Sequence, residues 1–152
     1  MAGVDFEAEV DLTEAQAALS KLSSSDLDTL SYEIGSLIED QTKRRLMDEK
    51  TAPDGTPWAP WSDAYAESLK RPNRTNPRSL LVGEGDLKDS IQNYTTGETV
   101  KVGTNLVYGA IHQFGGEPVD MNIPARPYLG LSSENAAEIE DLVAGRLEDL
   151  LQ

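Results

Sequence analysis

The stretch from Tyr108 to Gly130, YGAIHQFGGEPVDMNIPARPYLG, gathers many of the side chains in this sequence that are able to do chemistry. It holds the only histidine, His112, beside Gln113 and four residues after Tyr108, and an arginine, Arg126, flanked by Pro124 and Pro127. An imidazole near a phenol is a candidate general base or metal ligand. A base needs an orienting partner and a nucleophile or water to act on. Gln113 is no nucleophile, and helical spacing offers no carboxylate, because 108 and 109 are Tyr and Gly and 115 and 116 are both Gly. Triads are assembled in space, so spacing alone leaves distant partners open. A metal site would have one histidine and no cysteine to draw on, hence mostly carboxylates. DEKTAPDG (48–55) has acids without the spacing of a calcium-binding hand. Asp54 and Asp63 are the pair a hydrolase would use, provided they stand about 5–10 Å apart in a cleft. GEGDLK (83–88) lacks the third glycine and the strand–helix frame of a phosphate cradle. No catalytic residue, cofactor site or metal ligand is assigned. His112 is read as a hydrogen-bonding residue set against neighbouring backbone on a half-buried helix face.

Packing chemistry remains. Trp58 and Trp61 sit among prolines, Tyr108 and Phe114 bracket His112, and Tyr128 follows the Ala-Arg-Pro run. Rigid aromatics and arginines are the residues that dominate contact energies. The candidate interface therefore comprises Trp58, Trp61, Arg71, Arg74, Tyr108, His112, Phe114, Arg126 and Tyr128. The two tryptophans have a competing place in the domain's own core.

Several elements must position these residues. Val4, Phe6, Ala8 and Val10 alternate with acids, the period-two pattern of a half-buried strand. Thr13, with Gln16 three residues on, reads as a capping box for a short helix through Leu22. SSSD (23–26) offers a second cap, and Leu27, Leu30, Ile34, Leu37 and Ile38 stripe a long helix running to about Met47. Lys43, Arg44 and Arg45 in its last turns suit the negative end of the dipole. TAPDGTPWAPW (51–61) is a loop, and Ser62 caps a short helix to about Lys70. Residues 79–91 mix an apolar strand-like piece, a Gly-Glu-Gly turn and one helical turn. A hairpin about Gly97-Glu98 should put Tyr94, Val100 and Val102 on one face. A helix from Leu106 to Phe114 ends at Gly115-Gly116, and Ser132 or Ser133 caps a last helix with Ile139, Leu142, Val143, Leu147 and Leu150 on one side. Helices and hairpins without regular βαβ alternation mean α+β. The expected architecture is a small antiparallel sheet with a β-hairpin, packed against a long helix of the N-terminal half and a C-terminal helix.

A length of 152 residues fits one domain, 1–152, with KRPNRTNPR (70–78) as a flexible loop lacking periodicity. The N-terminus has no basic and apolar leader, no apolar run reaches the roughly 20 residues of a membrane helix, and there is no cysteine. The expectation is an intracellularly made, soluble protein. Thirteen basic against 27 acidic residues give a net charge of −14, which repels a phosphate backbone as a whole. Residues 1–42 hold ten acids and one base, while Lys70, Arg71, Arg74 and Arg78 lie together without an acid. Two readings stay open: head-to-tail complementarity between copies, or solvated faces of opposite sign. The charge also suits an acidic regulator that mimics DNA.

Four ordered blocks carry a resemblance: PDGTPWAPWS (53–62), LLVGEGDLKDSI (80–91), VGTNLVYGAIHQFGG (102–116) and IPARPYLGLS (123–132). Together they resemble the Mu-like phage virion morphogenesis, or tail completion, proteins, over roughly half the chain. Gly109 stands where that family has Ala after the tyrosine, and Glu84 where it commonly has Thr. The basic stretch 70–78 fits the Lys-rich segment that follows its Trp loop. The resemblance implies a non-enzymatic structural protein of a tailed phage or prophage, in the virion at the head–tail junction. It implies a ring of identical subunits, six in the simplest case, acting as tail terminator or stopper. Its partners would be copies of itself and neighbouring neck and tail proteins, the connector, stopper or tail tube. DNA would pass through the ring transiently without sequence-specific binding, and no membrane is involved. A closed head-to-tail ring needs two different, matching surfaces on each subunit. Acids of residues 1–42 or 132–152 lining the lumen would let DNA slide without adhering, and the 70–78 arm would order on assembly.

Overall fold

The structure is a computed structural model and describes residues 3–8, 15–72, 80–82 and 85–151. The expected α+β class holds: helices surround one three-stranded antiparallel sheet. Strand β1 (Val4–Glu7) and strand β2 (Gln92–Asn93) flank the central β3 (Lys101–Thr104). The alternation in β1 sets its register, with Phe6 opposite Val102 and Val4 opposite Thr104. Asp5 lies opposite Gly103, and a Cβ on that glycine would fall 2.1 Å from the Val4 carbonyl oxygen. The two strands approach this closely only because position 103 has no side chain.

β2 and β3 form the expected hairpin, closed by paired backbone bonds between Thr96 and Thr99 around Gly97, whose φ is +57°. One face assignment is corrected. Asn93 is opposite Val102, and the Tyr94 N–H donates to the Lys101 carbonyl, so Tyr94 shares the face of Lys101 and stays exposed. The register of a hairpin fixes such faces, and counting from the turn alone misplaced this residue.

Helix α1 (Gln16–Leu19) is shorter than its stripe, and its supposed cap Thr13 lies outside the described residues. Helix α2 (Ser24–Arg44) begins where the Ser23 hydroxyl accepts the Asp26 N–H at 3.1 Å. Leu30 and Ile38 face the core, and Glu39 ties the helix to the hairpin by accepting from both the backbone and side-chain nitrogens of Asn93, each at 3.1 Å. The last turn widens into a π-turn over Arg45–Glu49 and stops at Lys50, which is left-handed with φ +59°. Arg45 continues the buried face of α2 after Ile38, Gln41 and Thr42. It is 1% exposed, so its expected part in complementing the helix dipole is corrected below.

Short helices α3 (Asp63–Ser68, capped by Ser62) and α4 (Asp86–Ser90) follow. The apolar piece before α4 forms a turn at residues 80–82, where a strand was expected, because Leu81 takes φ +60°. Helix α5 (Val107–Phe114) ends at Gly115 as anticipated. Helix α6 (Ser133–Leu150) opens with a complete capping box between Ser132 and Asn135. Ile139, Val143 and Leu147 are buried with Ile38, Leu46 and Val102 in one apolar cluster, while Leu150 is exposed. No helix among the described residues is long and apolar enough to cross a membrane.

Candidate interaction site

The segment Arg126–Gly130 has no strand partner among the described residues, yet it is largely buried. Its backbone polar groups must therefore find side chains. The side-chain amide oxygen of Gln113, on α5, accepts from the Tyr128 and Leu129 N–H groups, both at 3.0 Å. Arg45 Nη1 donates to the carbonyls of Tyr128 at 2.9 Å and Gly130 at 3.1 Å, and its Nη2 to the Asn135 side-chain oxygen. Burial pulls the Arg45 pKa down while Glu49 opposes that effect. The Tyr128 hydroxyl donates to Gly109 O at 2.8 Å, and burial pushes its pKa far above the usual phenol value. A Cβ at Gly109 would meet the Thr104 methyl at 2.4 Å and that hydroxyl at 3.0 Å, which explains glycine where the resemblance leads one to expect alanine.

The same segment reaches outward to the Trp loop. Arg126 donates from Nε to Ala59 O at 2.7 Å and from Nη2 to Pro60 O at 2.9 Å, and its backbone N–H donates to His112 O at 2.7 Å. Trp58 returns the contact, donating from Nε1 to Pro127 O at 2.7 Å. The prolines preset the backbone of both strands of this clasp, and proline carbonyls serve as acceptors although proline nitrogens cannot donate.

Outside the clasp lies a half-open cavity of about 580 Å³. Trp61, Tyr65, Asp86, Tyr108, His112 and Arg126 are among its walls. Trp61 meets Tyr65 edge-on at 5.8 Å, and Tyr108 meets His112 edge-on at 5.9 Å. His112 Nδ1 is buried with no hydrogen-bond partner among the described residues. Burial first, and the Arg126 charge second, hold its pKa below the ordinary value. Both effects favour the neutral imidazole. Its expected bond to backbone is corrected: the His112 carbonyl makes that contact, not the ring. Among the described residues no group of three His, Asp or Glu side chains is placed to hold a metal ion.

The nine sequence candidates separate. Tyr108, His112, Trp61 and Arg126 come together at the cavity. Phe114 projects from the end of α5, 65% exposed, and Arg71 is exposed beyond α3. Arg74 lies outside the described residues. Trp58, Tyr128 and Arg126 are buried, and each donates a hydrogen bond within the chain. Gln113, Arg45 and Asn135 organise the site and were not singled out from sequence. The only cue for Gln113 was its place inside the His-Gln pair.

The chain matches, over residues 10–148, the family described as the phage virion morphogenesis family. The chain belongs to that family. Putative capsid assembly protein G of Escherichia phage Mu is 30% identical over 155 aligned residues, covering 98% of each chain. Tail completion protein S of Escherichia phage P2 is 28% identical, over 86% of this chain and 90% of its own. Mu-like prophage FluMu G protein 1 of Haemophilus influenzae is 26% identical over 74% of both. No solved structure matches the chain. The clasp and cavity of this family member lie inside the matched span.

Proposed function

We propose that this protein is a non-enzymatic structural subunit that completes the tail or neck of a tailed phage particle, acting as a single domain in a ring of identical copies. Support comes above all from the end-to-end match with a relative named for capsid assembly, joined by one named for tail completion. The clasp supports it physically. It spends its buried arginines and amide on holding loops, which suits a part whose task is to keep a shape. Tyr108, 40% exposed, stands in the wall of the aromatic cavity, and Phe114, 65% exposed, projects from the end of α5. Rigid aromatics next to a pocket are suited to contact with a neighbouring copy or a neck or tail protein. Carboxylates on the outer faces of α2 and α6, such as Asp28 and Glu140, are available to face passing DNA and repel it.

The test is a phage or prophage carrying a null allele of this gene. Induced lysates should contain heads and tails that fail to form infectious particles, and the chain should be present in purified wild-type virions. Normal particle yield without the chain would overturn the proposal.

A further inference from the structure

A second depression lies between α2 and α6, sharing no lining residue with the aromatic cavity. Its apolar lining comprises Leu37 and Leu142, both half-buried, and Tyr32, which is 60% exposed. Its walls carry four carboxylates, Glu33, Asp40, Glu138 and Asp141, against one guanidinium, Arg146. Two of those acids already have partners. Glu33 takes both Arg146 nitrogens at 2.6 Å, and Glu138 accepts from Arg44 at 2.8 Å. Asp40 and Asp141, one on each wall, make no ion pair among the described residues. The groove thus combines an exposed aromatic ring, apolar floor and unneutralised acids on opposing sides.

We propose that this groove seats the basic segment 70–78 of a second copy of the chain. The inference rests on the ring proposed above, and it names the two surfaces that such a ring would join. Lys70, Arg71, Arg74 and Arg78 are its matching charges, in a run with no acid. Lys70 and Arg71 are exposed where the described part of that segment begins. Geometry agrees. Tyr32 to Asp40 along α2 spans about 12 Å at 1.5 Å per residue. Bound as an extended, proline-directed stretch, residues 71 and 74 would stand about 9 Å apart. One guanidinium would then lie over the Tyr32 ring, a favourable cation–π contact. The other would lie between Asp40 and Asp141, with proline rings and the aliphatic stems on Leu37 and Leu142. Because groove and segment are different surfaces, the contact is head-to-tail and propagates from copy to copy until the ring closes.

The chain has no cysteine, so introduced thiols report cleanly. Asp141→Cys and a differently tagged Arg74→Cys variant are mixed and oxidised, and their mass is measured alongside that of the wild type. A cross-linked heterodimer is expected. Asp40→Lys with Asp141→Lys should weaken self-association at least tenfold, and Arg71→Glu with Arg74→Glu should restore it when mixed with that variant. Asp40, Asp141 and Arg71 are exposed, and circular dichroism checks that the variants fold. Association should also collapse near 1 M salt, where screening acts within about 3 Å. Oligomers that form without the cross-link, and that tolerate charge reversal, would overturn the groove assignment and leave the ring standing. A cross-link only within one doubly substituted chain would overturn it in favour of self-occupancy. A chain monomeric at every concentration, also beside virion components, would overturn both proposals.

Discussion

Replacing Arg45 by methionine keeps the unbranched stem in the core and removes only the guanidinium. Two backbone acceptors, Tyr128 O and Gly130 O, lose their donor, while the Asn135 side-chain oxygen keeps only the Ser132 N–H. A buried acceptor left unpaired costs about 1–3 kcal/mol. Against that stands the desolvation of the guanidinium, several kcal/mol, which the substitution recovers. Some of the acceptors will also reach water as the 126–130 segment loosens. The net expectation is a loss of about 3 kcal/mol, near the lower end of what breaking buried charged networks costs. With a urea slope of about 2 kcal/mol per molar, the unfolding midpoint should fall by about 1.5 M at unchanged slope. The adjacent Arg44 is the internal control. It is 44% exposed and pairs with Glu138 and Glu49 across the surface, a class of contact that contributes about 0–1 kcal/mol. Arg44→Met should move the midpoint by less than about 0.5 M. If the two variants unfold within error of each other, the clasp does not depend on Arg45 and the account of the site fails.

His112, the only imidazole in the chain, gives one assignable resonance. Its NMR titration should lie below the ordinary 6.5, and Arg126→Gln should bring it closer to that value. The unfolded chain then binds the proton at higher pH than the folded one. Stability should be full above about 6.5, fall as pH drops through the window between 6.5 and the depressed folded value, and level off below it. A titration midpoint at or above 6.5 would remove both the burial and the Arg126 arguments. Gly109→Ala should cost about 1–3 kcal/mol through overpacking, because its Cβ strikes the Thr104 methyl. Adding Thr104→Ser deletes that methyl and keeps the hydroxyl that Ser90 and the Leu106 N–H share. Thermal melts should show the double variant regaining most of the loss.

Periodicity revealed the helices well. The stripes of α2 and α6 and the caps Ser23, Ser62 and Ser132 were all legible, because local hydrogen bonds and one apolar face decide them. The face of Tyr94 was not, since pairing register is a property of two strands and their turn together. The site was half legible. Tyr108, His112 and Arg126 do meet, as residues bearing aromatic and cationic groups within one stretch suggested. The roles went astray where a polar residue was judged by its usual surroundings. Arg45 looked like a solvated helix terminus, yet it lies seven residues after Ile38 and three after Thr42, continuing the buried face of α2. Arg126 and Tyr128 looked like contact residues, but their polar atoms are answered by carbonyls far away in sequence, at Ala59, Pro60 and Gly109.

Lys50 and Leu81 are both left-handed, a conformation that costs a residue with a Cβ about 1–2 kcal/mol. The Lys50 ammonium donates to the carbonyl of Leu80 at 2.9 Å and also to Leu46 O, so one cation bridges the end of the long helix and the turn thirty residues later. The two bends are thus tied through a single side chain. Glycine at 81 should ease that turn locally, whereas a neutral side chain at 50 should release both bends together. The aromatic cavity, whose lining includes Leu81 and Val82, is in this sense tied to a residue that is not part of its wall.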